Sequence, residues 1–209
     1  MWQKKVNWTW EDWMEAYDWD VYATLTFSRH DLLDGNKADA AAKLWRSCLN
    51  TLDHTLYGKS RSCQRRFDRV AFRHFGNTAT NPHVHLLAKS PINANEFCIA
   101  WNAIWASKFD AAASPINNSI APMLTVKGAT GYSKHEEFKQ DIGSFDDRLT
   151  YINLGDQHHV RTDVIHKLYA KATRNNLIKA RLALPQHIAT TQKNFTRRED
   201  ARAAAMRRS

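Results

Sequence analysis

The chain of 209 residues contains only three cysteines, Cys48, Cys63 and Cys98. Their number is odd and no two stand at a metal-ligand spacing, so a disulfide framework and a cysteine-based zinc site are both unexpected, and a reduced cytosolic setting follows. No apolar run approaches the ~20 residues that a membrane-spanning helix needs. The N-terminus is rich in tryptophan and acids (Trp2, Trp8, Trp10, Glu11, Asp12, Trp13) and lacks the basic start and apolar stretch of a secretory signal, so a cytoplasmic protein is expected. A GxxxxGK[ST] loop is missing too, which argues against a nucleotide cofactor, and no internal repeat is found.

Acidic residues are scarce where basic ones gather. The formal net charge is +9, and Lys59, Arg61, Arg65, Arg66, Arg69 and Arg73 share their stretch with one acid, Asp68. A second run, Arg161, Lys167, Lys171, Arg174, Lys179 and Arg181, contains only Asp163. Runs so poor in acid favour phosphate contact, and nucleic acid is the expected partner.

A hydrophobic content of 43% suffices for an ordinary core. Val21-Tyr22-Ala23-Thr24-Leu25-Thr26-Phe27 alternates as a central strand should, and Ala40, Leu44, Cys48, Leu49 and Leu52 recur at helical spacing over residues 39–56 before Tyr57-Gly58 ends the pattern. Residues 69–89 read as a hairpin stopped by Ser90-Pro91. Asn95 is placed to cap a helix through Phe97, Trp101 and Trp105, and strand character returns around Met123-Leu124-Thr125-Val126. The order strand, helix, strand, strand, helix, strand predicts an α+β fold with a largely antiparallel central sheet flanked by helices. Beyond Gly128 the chain is polar. Residues 163–184 read as a basic helix stopped by Pro185, with Val164, Leu168, Ala172 and Leu177 inward, and 196–209 as a frayed helix or a tail that meets DNA. The expected organisation is a domain over residues 1–160, with segment 1–19 packing on it, and a basic helical extension over 161–209.

The strongest chemical signal is Asn81-Pro82-His83-Val84-His85-Leu86-Leu87. On a strand His83 and His85 point one way while Val84 and Leu86 point into the protein. The preceding Arg69-Val70-Ala71-Phe72-Arg73-His74 alternates, and the turn-forming residues between return the chain, so His74 comes back beside the pair. Three imidazoles at neighbouring points of a hairpin can hold a divalent ion and leave positions open for substrate, although a register shift of one residue would turn His74 away.

Three landmarks stand in a recognisable order: the strand Tyr22-Ala23-Thr24-Leu25-Thr26-Phe27, the strand Pro82-His83-Val84-His85-Leu86-Leu87, and Gly128-Ala129-Thr130-Gly131-Tyr132-Ser133-Lys134-His135-Glu136. Over residues 20–155 they resemble the three motifs of the HUH endonucleases, specifically the rolling-circle replication initiators of small plasmids, phages and satellites. The resemblance implies a fold related to the ferredoxin and RRM sheets, a metal on His83 and His85, and Tyr132 as nucleophile on a nearby helix. It implies nicking and joining of single-stranded DNA at an origin through a 5′-phosphotyrosine, in a bacterial host, with a partner helicase and the host polymerase. Transposases and relaxases share the motif set, but the short chain favours the initiator. A basic DNA-binding protein without catalysis is the rival from another class.

Departures from the family pattern bear on the site. Many members carry an acid on the strand before the histidine pair, where this chain has Phe72-Arg73-His74. His74 is the natural substitute, and an all-imidazole set moves preference from Mg toward Mn, Co, Ni or Zn. Lys134 follows the tyrosine more closely than the family often places its lysine, leaving His135 or Glu136, one turn from Tyr132, as alternatives for tuning the phenol or accepting its proton. Tyr151, in an expected capped helix from Asp146, is the alternative nucleophile, with Tyr169 behind it. The adjacent His158-His159 reads as loop.

Overall fold

Period-two alternation builds four strands, β1 (Val21–Thr26), β2 (Arg69–His74), β3 (His83–Ala88) and β4 (Ser119–Pro122), into an antiparallel sheet of order β2-β3-β1-β4. This computed structural model describes residues 10–28, 37–58, 65–74, 82–123, 125–133, 145–153, 160 and 163–207. The α+β class and the central position of β1 match the expectation from sequence.

One face of the sheet carries Val21, Ala23, Leu25, Ala71, Val84 and Leu86. Helices α2 (Lys37–Tyr57) and α3 (Ala94–Lys108) cover it, placing Trp45, Leu49, Leu52, Phe97, Trp101 and Trp105 in one large core. Each large side chain so buried is worth roughly 1.5–3 kcal/mol. Cys48 and Cys98 lie buried in this core as free thiols, and Cys63 lies outside the described residues. Gly58, at φ 84°, takes the left-handed conformation that ends α2, and its N–H donates to the His54 carbonyl. Asn93, two residues before the expected cap, accepts from the N–H groups of Asn95 and Glu96 and opens α3.

The other face carries Tyr22, Val70, Phe72 and Leu87 beneath a smaller core. Met14 of α1 (Trp10–Ala16), Trp19, Ala129 of α4 (Val126–Ser133) and Phe195 complete it, with Trp13 packed alongside. The expected fourth strand is shifted. The pairing is made by Ser119–Pro122, while Val126 already begins α4.

The basic C-terminal segment forms α5 (Val164–Tyr169) and α6 (Arg174–Met206). Pro185 does not stop the helix as expected. It lies inside α6, because Ala183, Leu184, His187, Thr191 and Phe195 are buried on either side, and their packing outweighs the ~3 kcal/mol that an interior proline costs. Leu168, Ala180 and Leu184 join the larger core and Phe195 the smaller, so both sides of residue 160 share one packed interior. α6 packs on β4, and residues 145–151 line the edge of β2 through Arg69 N–H to the Tyr151 carbonyl (2.7 Å), the reverse bond (2.8 Å) and Asp146 N–H to the Ala71 carbonyl (2.9 Å). Both sheet edges are thereby covered. No helix among the described residues is long and apolar enough to cross a membrane.

Two expectations are corrected here. Tyr151 is not on a helix. Asp146 Oδ1 accepts from Arg148 and Leu149 N–H in a turn, and Tyr151 then pairs with Arg69 at the start of β2. Arg69 is not a DNA contact. It is 2% exposed, and its guanidinium donates to both oxygens of Asp53 (3.0 and 2.9 Å) and to the carbonyls of Phe67 and Leu149. Alternation puts Arg69 on the face that α2 covers, where only a fully paired charge is tolerated. Burial pushes the Asp53 carboxyl up, and Arg69 opposes it.

Candidate metal centre

The hairpin register pairs His74 with His83 and Phe72 with His85, so all three imidazoles emerge on the face opposite the large core. Ring centroids are 5.4 Å apart for His74 and His83, 4.6 Å for His74 and His85, and 4.9 Å for His83 and His85. One nitrogen of each lies within 4.8 Å of the others. Three nitrogens at about 2.0–2.1 Å from one ion would stand roughly 3.3 Å apart, closer than the 4.8 Å bound seen here. His74 and His85 are buried and His83 is half-buried, so one edge of the cluster is open.

β1 orients the ligands. Its register sets Thr24 opposite His85 and Thr26 opposite His83. The Tyr22 hydroxyl lies 2.7 Å and the Thr24 hydroxyl 2.9 Å from Nδ1 of His85, and the Tyr22 ring stacks on the imidazole at 5.7 Å. With Nδ1 occupied by hydroxyls, Nε2 is the nitrogen suited to a metal. Thr26 is held by Asn118, which accepts from its N–H and hydroxyl and donates to Asn102.

Tyr22, Thr24, Thr26, His83 and His85 line a cleft of about 260 Å³ whose other wall is α6, through Thr190, Thr191, Asn194 and Phe195. Among the described residues, none that lines it is Lys, Arg, Asp or Glu. The roof is positioned by a close approach. A Cβ on Gly128 of α4 would stand 2.6 Å from Cβ and 2.8 Å from Cα of Phe195, and Phe195 in turn meets the Tyr22 ring edge-on at 5.1 Å. Gly128, Phe195, Tyr22 and His85 thus form one contact chain from α4 to the cluster. Tyr22, Thr24 and the α6 residues were not anticipated. The alternation of Tyr22 and Thr24 on β1 was a usable signal, but nothing in the sequence marks Thr190, Thr191 or Asn194.

The other candidates separate. The backbone of Tyr132 lies in α4, which packs against β3 and α6; Lys134, His135, Glu136, Lys59, Arg61, and His158 and His159 fall outside the described residues. Tyr151 lies at the far end of β2 from His74, about 16 Å along the strand, with Arg66 over its ring at 5.6 Å. Tyr169 donates to Glu96 beside the larger core. Arg73 pairs with Asp146 at 2.7 Å, Lys167 with Asp163 at 2.9 Å, and Arg65, Lys171 and Arg174 are exposed. No protein-family model, curated protein or solved structure matches the chain.

Proposed function

We propose that the protein is a metal-dependent, tyrosine-utilising endonuclease and strand transferase that nicks and rejoins single-stranded DNA, as in the initiation of rolling-circle replication. The observation that carries this reading is the convergence of His74, His83 and His85, of which His83 and His85 line an open cleft whose described lining residues include no Lys, Arg, Asp or Glu. Imidazole donors suit Mn, Co, Ni or Zn better than Mg. A divalent ion held there would supply charge neutralisation at a non-bridging phosphate oxygen.

The remaining roles fall to the chain itself. Tyr22 and Thr24 fix the ring of His85, and the cleft hydroxyls with Asn194 suit sugar and base edges of an unpaired strand. Tyr132 follows Gly128 by one helical turn on α4, the helix seated on the roof of the cleft. Its phenolic oxygen attacks phosphorus and the bond to the 3′ oxygen breaks. The electron pair stays on that oxygen, which gains a proton to become a free 3′-hydroxyl, while the 5′-phosphate remains joined to Tyr132. His135 or Glu136 takes the proton from the phenol, and Lys134 offsets the charge that develops on the phosphate. A partner helicase and a host polymerase would then use the 3′-hydroxyl.

The test is a denaturant-resistant adduct between the protein and labelled random-sequence single-stranded DNA, sought with Mg, Mn, Co, Ni and Zn in turn. Adduct is expected with the wild type and lost in Tyr132→Phe and in His83→Ala/His85→Ala. Its absence with every metal sinks the reading, and its survival in Tyr132→Phe reassigns the nucleophile. Calorimetric titration with Mn separates the metal from the chemistry: Tyr22→Phe should weaken binding about 10-fold or more by freeing the His85 ring.

A further inference from the structure

A second cleft, of about 330 Å³, lies on the other side of the molecule between α2 and α3. It is lined by Lys43, Arg46, Ser47, Asn50, Thr51, His54 and Lys108. The first six recur at spacings of three and four on α2, so they form one stripe along the helix, while Trp45, Cys48, Leu49 and Leu52 turn the opposite way into the large core. That core meets the sheet face opposite the histidines.

The chemistry of this cleft is the inverse of the first. Its described lining holds three cations, Lys43, Arg46 and Lys108, and no carboxylate. Lys108 reaches across from the last turn of α3 and donates to the Ser47 carbonyl at 3.0 Å and to the Thr51 hydroxyl, so its charge is held over the groove without being neutralised. Neither Lys43, Arg46 nor Lys108 forms an ion pair with a described carboxylate. The basic surface continues past Lys108. Thr173 N–H and Asn176 donate to the hydroxyl of Ser107, which seats the start of α6, and with it Arg174, beside the same end of α3.

We propose that this groove is a second, metal-independent site that binds the phosphate backbone of a nucleic-acid segment distinct from the one at the histidines. Its stripe from Lys43 to His54 runs about 16 Å along α2, the length of roughly five nucleotides of a B-form strand. Donors spread over such a length suit a row of phosphates, whereas a single small anion would need them convergent. Ser47, Asn50 and Thr51 supply neutral contacts between the cations, the usual mixture for backbone positioning without base readout. No apolar residue stands among the described lining residues, which speaks against a lipid surface. The site stands independently of the chemistry assigned to the histidines.

The experiment measures binding of labelled single-stranded and duplex DNA by fluorescence anisotropy in EDTA, from about 50 to about 200 mM salt. Lys43→Gln/Arg46→Gln/Lys108→Gln should lower the slope of log affinity against log salt by about 2 to 3, near 0.9 per lost phosphate contact on duplex, and weaken low-salt binding at least ~10-fold. His74→Ala/His83→Ala/His85→Ala should keep the wild-type slope. An unchanged slope in the glutamine variant overturns the proposal. A measurement on the wild type guards against misfolding of that variant: bound DNA should shield Lys43 and Lys108 from acetylation, read by mass spectrometry, and equal acetylation with and without DNA also overturns it. Failure of the nuclease reading would appear as a missing adduct while this salt-dependent binding in EDTA persists.

Discussion

The two faces of one four-stranded sheet have been put to different uses, and β2 shows how narrow the sequence difference is. Arg69 and His74 lie five positions apart, an odd spacing that sends their side chains to opposite faces. On Arg69's face the apolar layer is continuous, so the charge is enclosed and consumed by Asp53. On the histidine face the apolar layer, Val70, Phe72 and Leu87, covers only part of the surface and gives way to imidazoles and hydroxyls toward the end of the hairpin. A polar residue becomes available for chemistry where the core beside it is small. The outer surfaces repeat the contrast: the cleft beside the histidines has no Lys, Arg, Asp or Glu among its described lining residues, and the one beyond α2 has Lys43, Arg46 and Lys108.

The largest effect that tests this contrast falls on Arg69. Arg69→Ala leaves Asp53 buried without its partner and should cost about 3–5 kcal/mol, read as a shift of the urea midpoint at constant slope. Replacing the pair together, Arg69→Met with Asp53→Leu, should recover most of that loss, since a buried ion pair exchanged for apolar volume is often neutral. If Arg69→Ala instead stays stable and loses DNA affinity, the apolar face is not the closed one described.

How much of this could be read beforehand follows from how local each determinant is. β1, the hairpin and the histidine pair were legible because strand alternation needs only a handful of neighbouring residues. His74 became legible through the turn-forming residues between it and His83, which bring the two strands into antiparallel pairing. Arg69 was misread because a run of basic residues looks alike whether each points to water or to a buried aspartate 16 positions earlier. Tyr22 and Thr24 reach His85 across a pairing of more than 60 residues' separation, and Pro185 yields to packing made by distant elements. Such long-range contacts leave no local period behind.

A middle-sized effect distinguishes the two cores from one another. Gly128→Ala gains about 1 kcal/mol of helix propensity but drives a methyl against the Cα and carbonyl oxygen of Phe195, at 2.8 and 2.9 Å, atoms that move only with the α6 backbone. A net loss of about 1–3 kcal/mol is expected. Hydrogen exchange should localise it to α4 and the second half of α6, leaving α2 and α3 protected as before. Spread of the loss into α2 would mean that the two cores are one cooperative unit.

The smallest effect concerns His187, an imidazole on α6 that makes the contrast with the three-histidine cluster within one residue type. It is 5% exposed, its Nε2 lies 3.5 Å from the Ile116 carbonyl, and burial lowers its pKa below the usual 6.5. The unfolded chain then takes up a proton at a pH where the folded one does not. Its contribution to stability is full above about pH 6.5 and is lost as pH falls from there through the folded pKa. Subtracting the urea stability of His187→Gln from that of the wild type across this range, in EDTA so that no metal engages the cluster, isolates the term. The difference should decline toward acid; a flat difference would show that His187 is solvated and that α6 does not close over this part of the sheet as tightly as its burial implies.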